Sequence, residues 1–162
     1  MAAAPNRCTV TINGTKFDAA CANIKFKSQT DSSGQPLMGS LNSEIRVFAD
    51  FHDTNNLPFS ALQGFFNLAN VVVKQNIVSM QIDVWQDESK SDAICSFKFT
   101  GWISRFETIN PSGLTSNINW GNSNLEDGSQ QDGVTPVLNH MLILDLQPAM
   151  NQQNFSSVSM SN

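Results

Sequence analysis

Two histidines, three cysteines and fourteen acidic residues are the groups from which this chain of 162 residues would have to build reactive chemistry. His52 precedes Asp53 at the end of an alternating run, and His140 lies inside another run, on its core-facing side. Neither has a cysteine or carboxylate at a metal-ligating spacing, so they read as a surface histidine and a packed one. Cys8, Cys21 and Cys95 show no C-x-x-C spacing, and the expectation is three reduced, small core residues of a protein made in the cytosol. The chain has no G-x-S-x-G elbow and no glycine-rich phosphate loop, which removes the common hydrolase and nucleotide-binding signatures. Asn122–Gly128 comes near a calcium loop, but Asp127 stands where the turn requires glycine. Asp87, Glu88 and Asp92 surround Lys90 as a solvated turn would. Trp85 and Trp102 fall in strand-like runs, where packing is their expected task. No catalytic, cofactor-binding or metal-binding residue is expected, and no cofactor.

Composition narrows the classes further. Nine basic residues against fourteen acidic ones give a net charge of −5, which argues against a nucleic-acid partner, since phosphates need a basic face. Hydrophobic residues make up 40%, enough for a core, yet charged residues only 14%, well under the roughly 25% of an average domain. With 18 Asn, 19 Ser and 11 Gln the hydrophilic surface is mostly neutral, and copies of it repel one another weakly. Met1–Arg7 has no charged start followed by an apolar run, and Leu142–Leu144 is far too short for a membrane span. Neither a secretory signal nor direct membrane insertion is expected.

These residues must be positioned mainly by strands. Cys8, Val10 and Ile12 alternate with Thr9 and Thr11, and Asn13-Gly14 follows, the pair that best supplies two positive φ angles to a tight hairpin turn. Thr15–Phe17 returns, and Ala22, Ile24 and Phe26 alternate again. Glu44–Phe51, Val78–Trp85, Ala93–Ile109 and Leu138–Leu146 complete the alternating runs, the last apolar on both faces at its centre. Pro58 opens the one helical stretch, residues 58 to 69, in which Phe59, Leu62, Phe66 and Ala69 recur at helical spacing. One helix among six to eight strands predicts a mainly β, antiparallel barrel or sandwich in a single domain spanning 1–162. Two stretches interrupt it: a long polar excursion over 114–136 and a neutral polar tail, 149–162, expected to be flexible until it meets a partner.

The loop from Ser28 to Ser43 stands apart. Asp31-Ser32-Ser33-Gly34-Gln35-Pro36 is turn chemistry throughout, yet Leu37, Met38 and Leu41 are apolar. A loop of this length with apolar side chains is usually functional, and something outside the subunit's own core is expected to cover it.

The order of elements, with the Asp31–Pro36 stretch, Gly39, the strand Ser43–Phe51, the helix Leu57–Asn70 and the strands Ile77–Trp85 and Ile94–Glu107, resembles the haemolysin-coregulated protein family (Hcp, also called TssD). That family supplies the inner tube subunit of type VI secretion systems, and the resemblance covers about Cys8 to Gln147. The 114–136 excursion is longer than the family's connection, and the tail beyond Pro148 is an extension. Tube proteins of contractile phage tails and extracellular injection particles share the architecture.

The resemblance implies an antiparallel β-barrel with one mid-chain α-helix. It implies no enzymatic activity, and self-assembly into hexameric rings that stack into a hollow tube. The implied partners are the chain itself, sheath, baseplate or spike proteins, and effector cargo. The implied site is the bacterial cytoplasm on assembly, then the extracellular space or a target cell, reached without a signal peptide. Segment 27–43 becomes an extended interface loop, and Asp31, Gly34, Pro36, Leu37, Met38, Gly39 and Leu41 are the expected ring or stacking residues. The competing reading is a monomeric β-barrel that binds a small apolar ligand.

Overall fold

A computed structural model describes residues 7–38, 42–70, 73–109, 140–149 and 157–160. The strands are β1 (Cys8–Ile12), β2 (Thr15–Ala19), β3 (Cys21–Lys27), β4 (Asn42–Asp50), β5 (Val78–Trp85), β6 (Ala93–Ile109), β7 (Met141–Pro148) and β8 (Ser157–Met160). Among the described residues a single α-helix, α1 (Phe59–Asn70), and one 3-10 turn at Lys74–Asn76 lie between β4 and β5. All pairings are antiparallel, in the order β2-β1-β5-β6-β7-β4-β3, with β8 added to β6. The mainly β class with one mid-chain helix is therefore as the alternation predicts.

The β1–β2 turn follows directly from its residues. Asn13 and Gly14 take φ of 50° and 81°, the left-handed pair that lets a two-residue turn follow the twist of its strands. β2 and β3, at opposite ends of the sheet order, are separated in the chain by Ala20 alone. The sheet therefore curls until its two edges meet at that corner, where the Ala20 N–H donates to the Phe48 carbonyl at 2.8 Å. Among the described residues these two edge strands form no ladder with each other, so the barrel is curled but not closed. The edge of β2 is covered in another way. The Asn56 side chain accepts from the Asp18 N–H at 2.7 Å and donates to the Asp18 carbonyl at 2.9 Å. One amide thus satisfies both backbone groups that an edge strand leaves open.

Alternation sorts the side chains. Val10, Ile12, Phe17, Ile45, Val47, Ile82, Phe99, Leu142, Leu144 and Leu146 fill the interior, none more than 2% exposed. The opposite face of β7 carries a second cluster, Met141 and Ile143 with Phe48 of β4, flanked by Cys21 and Ile109. The two-faced apolar character read in the last strand is real. Its outer residues, at 1–3% exposure, are already buried within the chain rather than left for a neighbour.

The helix is rotated from its expected face. Ala61 and Phe65 are buried, and Phe65 stacks on Phe17 with ring centroids 5.4 Å apart, while Phe59 and Phe66 are exposed. Two phenylalanine stripes lie on one helix, so spacing alone cannot choose between them. Contact with Phe17 decides for Phe65. β6 runs for 17 residues and carries an extra residue at Ser104, between Ile103 and Arg105, where its outer face is re-aimed.

Candidate functional site

The segment after β3 is an outward continuation of the β3–β4 hairpin rather than an irregular loop. Thr30 bridges Pro36, the Leu37 N–H donates to Gln29 at 2.8 Å, and the Asp31 N–H donates to Gln35 at 2.9 Å. Asp31 organises the tip. Its Oδ1 accepts from the Ser33 hydroxyl at 2.6 Å, the Ser33 N–H at 2.8 Å and the Gln35 N–H at 3.0 Å. These donors favour the ionised carboxylate, the Ser33 hydroxyl most, and hold its pKa below the ordinary aspartate value. Gly34 takes φ of 86°, which a side chain would strain. Leu37 is 45% and Met38 96% exposed, so the subunit's own core covers neither fully. Pro36 is exposed beside them. Gly39 and Leu41 lie outside the described residues.

A second polar constellation was not anticipated from the sequence. On the outer face of β3-β4-β7-β6, Arg46 of β4 stands opposite Asp145 of β7, and Arg105 of β6 stands opposite the same aspartate. Arg46 Nε lies 2.7 Å from Oδ1 and Nη2 lies 3.0 Å from Oδ2, a two-pronged pair. The carboxylate holds the guanidinium pKa above its ordinary value. Arg105 lies 3.9 Å from Asp145 and pairs with Glu107; Lys25 pairs with Glu44 at 3.4 Å. Between them runs a shallow cleft of about 150 Å³ lined by Asn23, Lys25, Glu44, Arg46, Asp145 and Gln147, among others. Positive and negative groups alternate along it, which suits a polar contact surface. Arg46 and Asp145 are 99 residues apart in sequence, and no local pattern announces their pairing.

The groups considered for chemistry are placed as follows. His52 is exposed, as expected. His140 is only half-buried and precedes β7 rather than facing the core, because the strand begins at Met141; its ring lies 5.5 Å from Phe51 and 5.6 Å from His52. Cys8 is buried, and burial pushes its thiol up to about 12; Cys21 and Cys95 are partly buried and pack against the margins of the two core clusters. All three are free thiols. Asp87 accepts from the Ser89 hydroxyl and N–H, a second capped turn. Trp85 donates its indole N–H to Thr9 at 2.8 Å. Asn122–Gly128 lies outside the described residues. Among the described residues no three His, Cys, Asp or Glu side chains gather as a metal would require, and no helix is long and apolar enough to cross a membrane.

The sequence matches no family model and no curated protein. Solved structures do share its shape. Hcp1 from Flavobacterium johnsoniae aligns over 94% of this chain and 93% of its own, with a TM-score of 0.51 and 10% identity. An Hcp protein seen in a crystal structure aligns over 86% of both chains, with a TM-score of 0.53 and 13% identity. A third similar chain, the sheath/tube terminator of the extracellular contractile injection system PVC, aligns over 100% of both at 10% identity. Its TM-score of 0.47 is too low to read a shared fold from it. The fold of this chain is Hcp-like.

Proposed function

We propose that the chain is a structural subunit of the inner tube of a type VI secretion system or a related contractile injection machine. It forms hexameric rings that stack into a hollow tube, carries effectors, and has no catalytic task. The Hcp-like fold over nearly the whole chain is the observation that supports this most. The hairpin at residues 29–38 fits the role, because an ordered turn carries Met38 into solvent where another ring would cover it. The sheath, baseplate or spike and the cargo are the further partners. Assembly in the bacterial cytoplasm followed by export without a signal peptide belongs to the same reading. A small-ligand barrel is disfavoured because Phe17, Phe99, Leu142 and Leu144 fill the interior, each at 2% exposure or less. Negative-stain microscopy of the purified protein tests the proposal: six-fold rings are expected, and a monodisperse monomer at high concentration in every buffer overturns it.

A further inference from the structure

β6 changes partner along one edge. Ile109 back to Gly101 carries β7, whose last residue Pro148 stands opposite Gly101; Lys98 back to Cys95 carries β8. β8 runs in the same direction as β7, so it takes up the edge where β7 leaves it. A chain continuing straight would place two residues between Pro148 and Ser157, opposite Thr100 and Phe99, but the sequence has eight there, 149–156. The Ala149 N–H makes a last bond to Thr100 at 2.9 Å. Nine Cα–Cα steps reach about 30 Å, while the three steps from Gly101 to Lys98 span about 10 Å. Roughly 20 Å of contour is more than docking on the chain's own β6 requires.

β8 is also a poor occupant of that edge within one chain. It has four residues, and Met160 is 74% exposed. Apolar surface lies open beside it: Ile94 is 45% exposed, and Phe26, at 44%, stacks on Phe97, the residue opposite Val158. A strand of four residues whose last side chain stays in water gains little there to offset the entropy of ordering it. Open apolar residues gathered around it mark a place completed by assembly.

We propose that β8 is exchanged between subunits: the Cys95–Lys98 edge of β6 is a strand-addition site for Ser157–Met160 of a second copy. Exchange keeps the register Cys95↔Met160 to Lys98↔Ser157 and every ladder hydrogen bond, and it ties each subunit to the next. Giving one strand and receiving one is a head-to-tail contact, which a ring closes. The inference rests on the ring assembly proposed above.

The test uses the full-length protein with Cys21→Ser and Cys95→Ser, into which Ser96→Cys and Ser159→Cys are introduced. These positions are register partners, near enough for a disulfide. After oxidation, rings scored by microscopy are run on a non-reducing gel. Covalent oligomers up to ring size are expected, with disulfide-linked dimers when two variants, one carrying only Ser96→Cys and the other only Ser159→Cys beside the buried Cys8, are assembled together. Rings whose subunits carry only an internal disulfide, or no disulfide, overturn the exchange and leave the tube reading intact. Monomers without rings overturn both. A second measurement needs no new cysteine: deletion of 150–162 is expected to leave the melting curve of the fold in place while rings dissociate at a protein concentration at least tenfold higher. Rings as stable as those of the full chain overturn the exchange.

Discussion

Arg46 and Asp145 face each other across the β4–β7 ladder and meet through two parallel hydrogen bonds, Nε to Oδ1 and Nη2 to Oδ2. Both side chains keep about a fifth of their surface in water, so the pair lies between an exposed ion pair, which contributes little, and a buried one that is costly to break. Asp145→Asn is expected to lower the unfolding free energy by about 1–2 kcal/mol, because it removes the charge that the largely buried Arg46 pairs with most closely. Urea unfolding checks this. A change within about 0.5 kcal/mol, the range of an ordinary surface substitution, would place the pair among the surface charges.

Gly101 is the point where β6 passes from β7 to β8. A Cβ there would drive into the Gln147 carbonyl oxygen and sit 3.0 Å from Gln147 C and 3.1 Å from Pro148 Cα, all backbone atoms. Backbone cannot step aside as a flexible side chain can. Gly101→Ala is expected to cost about 2–3 kcal/mol, read as a lower urea midpoint at constant slope.

Met38→Asp should leave the melting temperature of the isolated subunit within about 2 °C, since an exposed side chain holds no core contact. Stacking of rings into tubes should be lost, by electron microscopy and sedimentation. Leu41→Asp is expected to behave alike. Loss of fold in these variants would mean that the hairpin belongs to the core and is not an interface.

Asp31 gives the hairpin an acid dependence. Its pKa is lowered in the folded chain, so its contribution is present above the ordinary aspartate pKa and is lost as pH falls through the lowered one. Amide exchange at Ser33 and Gln35 should quicken in that acid window, and Asp31→Asn should quicken it at neutral pH. Unchanged protection in the variant would remove the carboxylate from the account.

Cys8 works at the other end of the scale. Its thiol stays neutral in the fold up to about 12, whereas in an unfolded chain it ionises near 8.5. Stability is therefore whole below the unfolded value and declines as pH rises towards the folded one. Cys8→Ala should flatten that alkaline decline in urea midpoints measured between pH 8 and 11.

Much of this fold could be read from single residues and their spacing. Asn13-Gly14 specified its turn, the alternation of Val10 with Thr11 specified strand faces, the run Met141–Leu146 showed a strand apolar on both faces, and Pro58 marked the helix start. What escaped reading depended on partners distant in the chain. Phe65 rather than Phe66 is buried because Phe17 waits for it. Asp145 finds Arg46 and Arg105 only once three strands lie side by side. Asp31–Pro36 was legible as a turn, but its extension of the ladder was not, since one isolated bridge from Thr30 to Pro36 leaves no periodic trace. His140 was misplaced by a single position, the span by which a strand boundary commonly shifts.

The corner at Ala20 has a mechanical meaning. The outermost strands at both ends of the sheet are one uninterrupted length of backbone, so the seam is fastened covalently at that point and pinned again through Phe48. Such a collar can flare at its far end, towards Asn13-Gly14 and Lys27, but at the corner its two edges cannot part without breaking the chain. Any opening of the sheet must therefore start at the far end of this seam or along one of the hydrogen-bonded ladders, never at the corner itself.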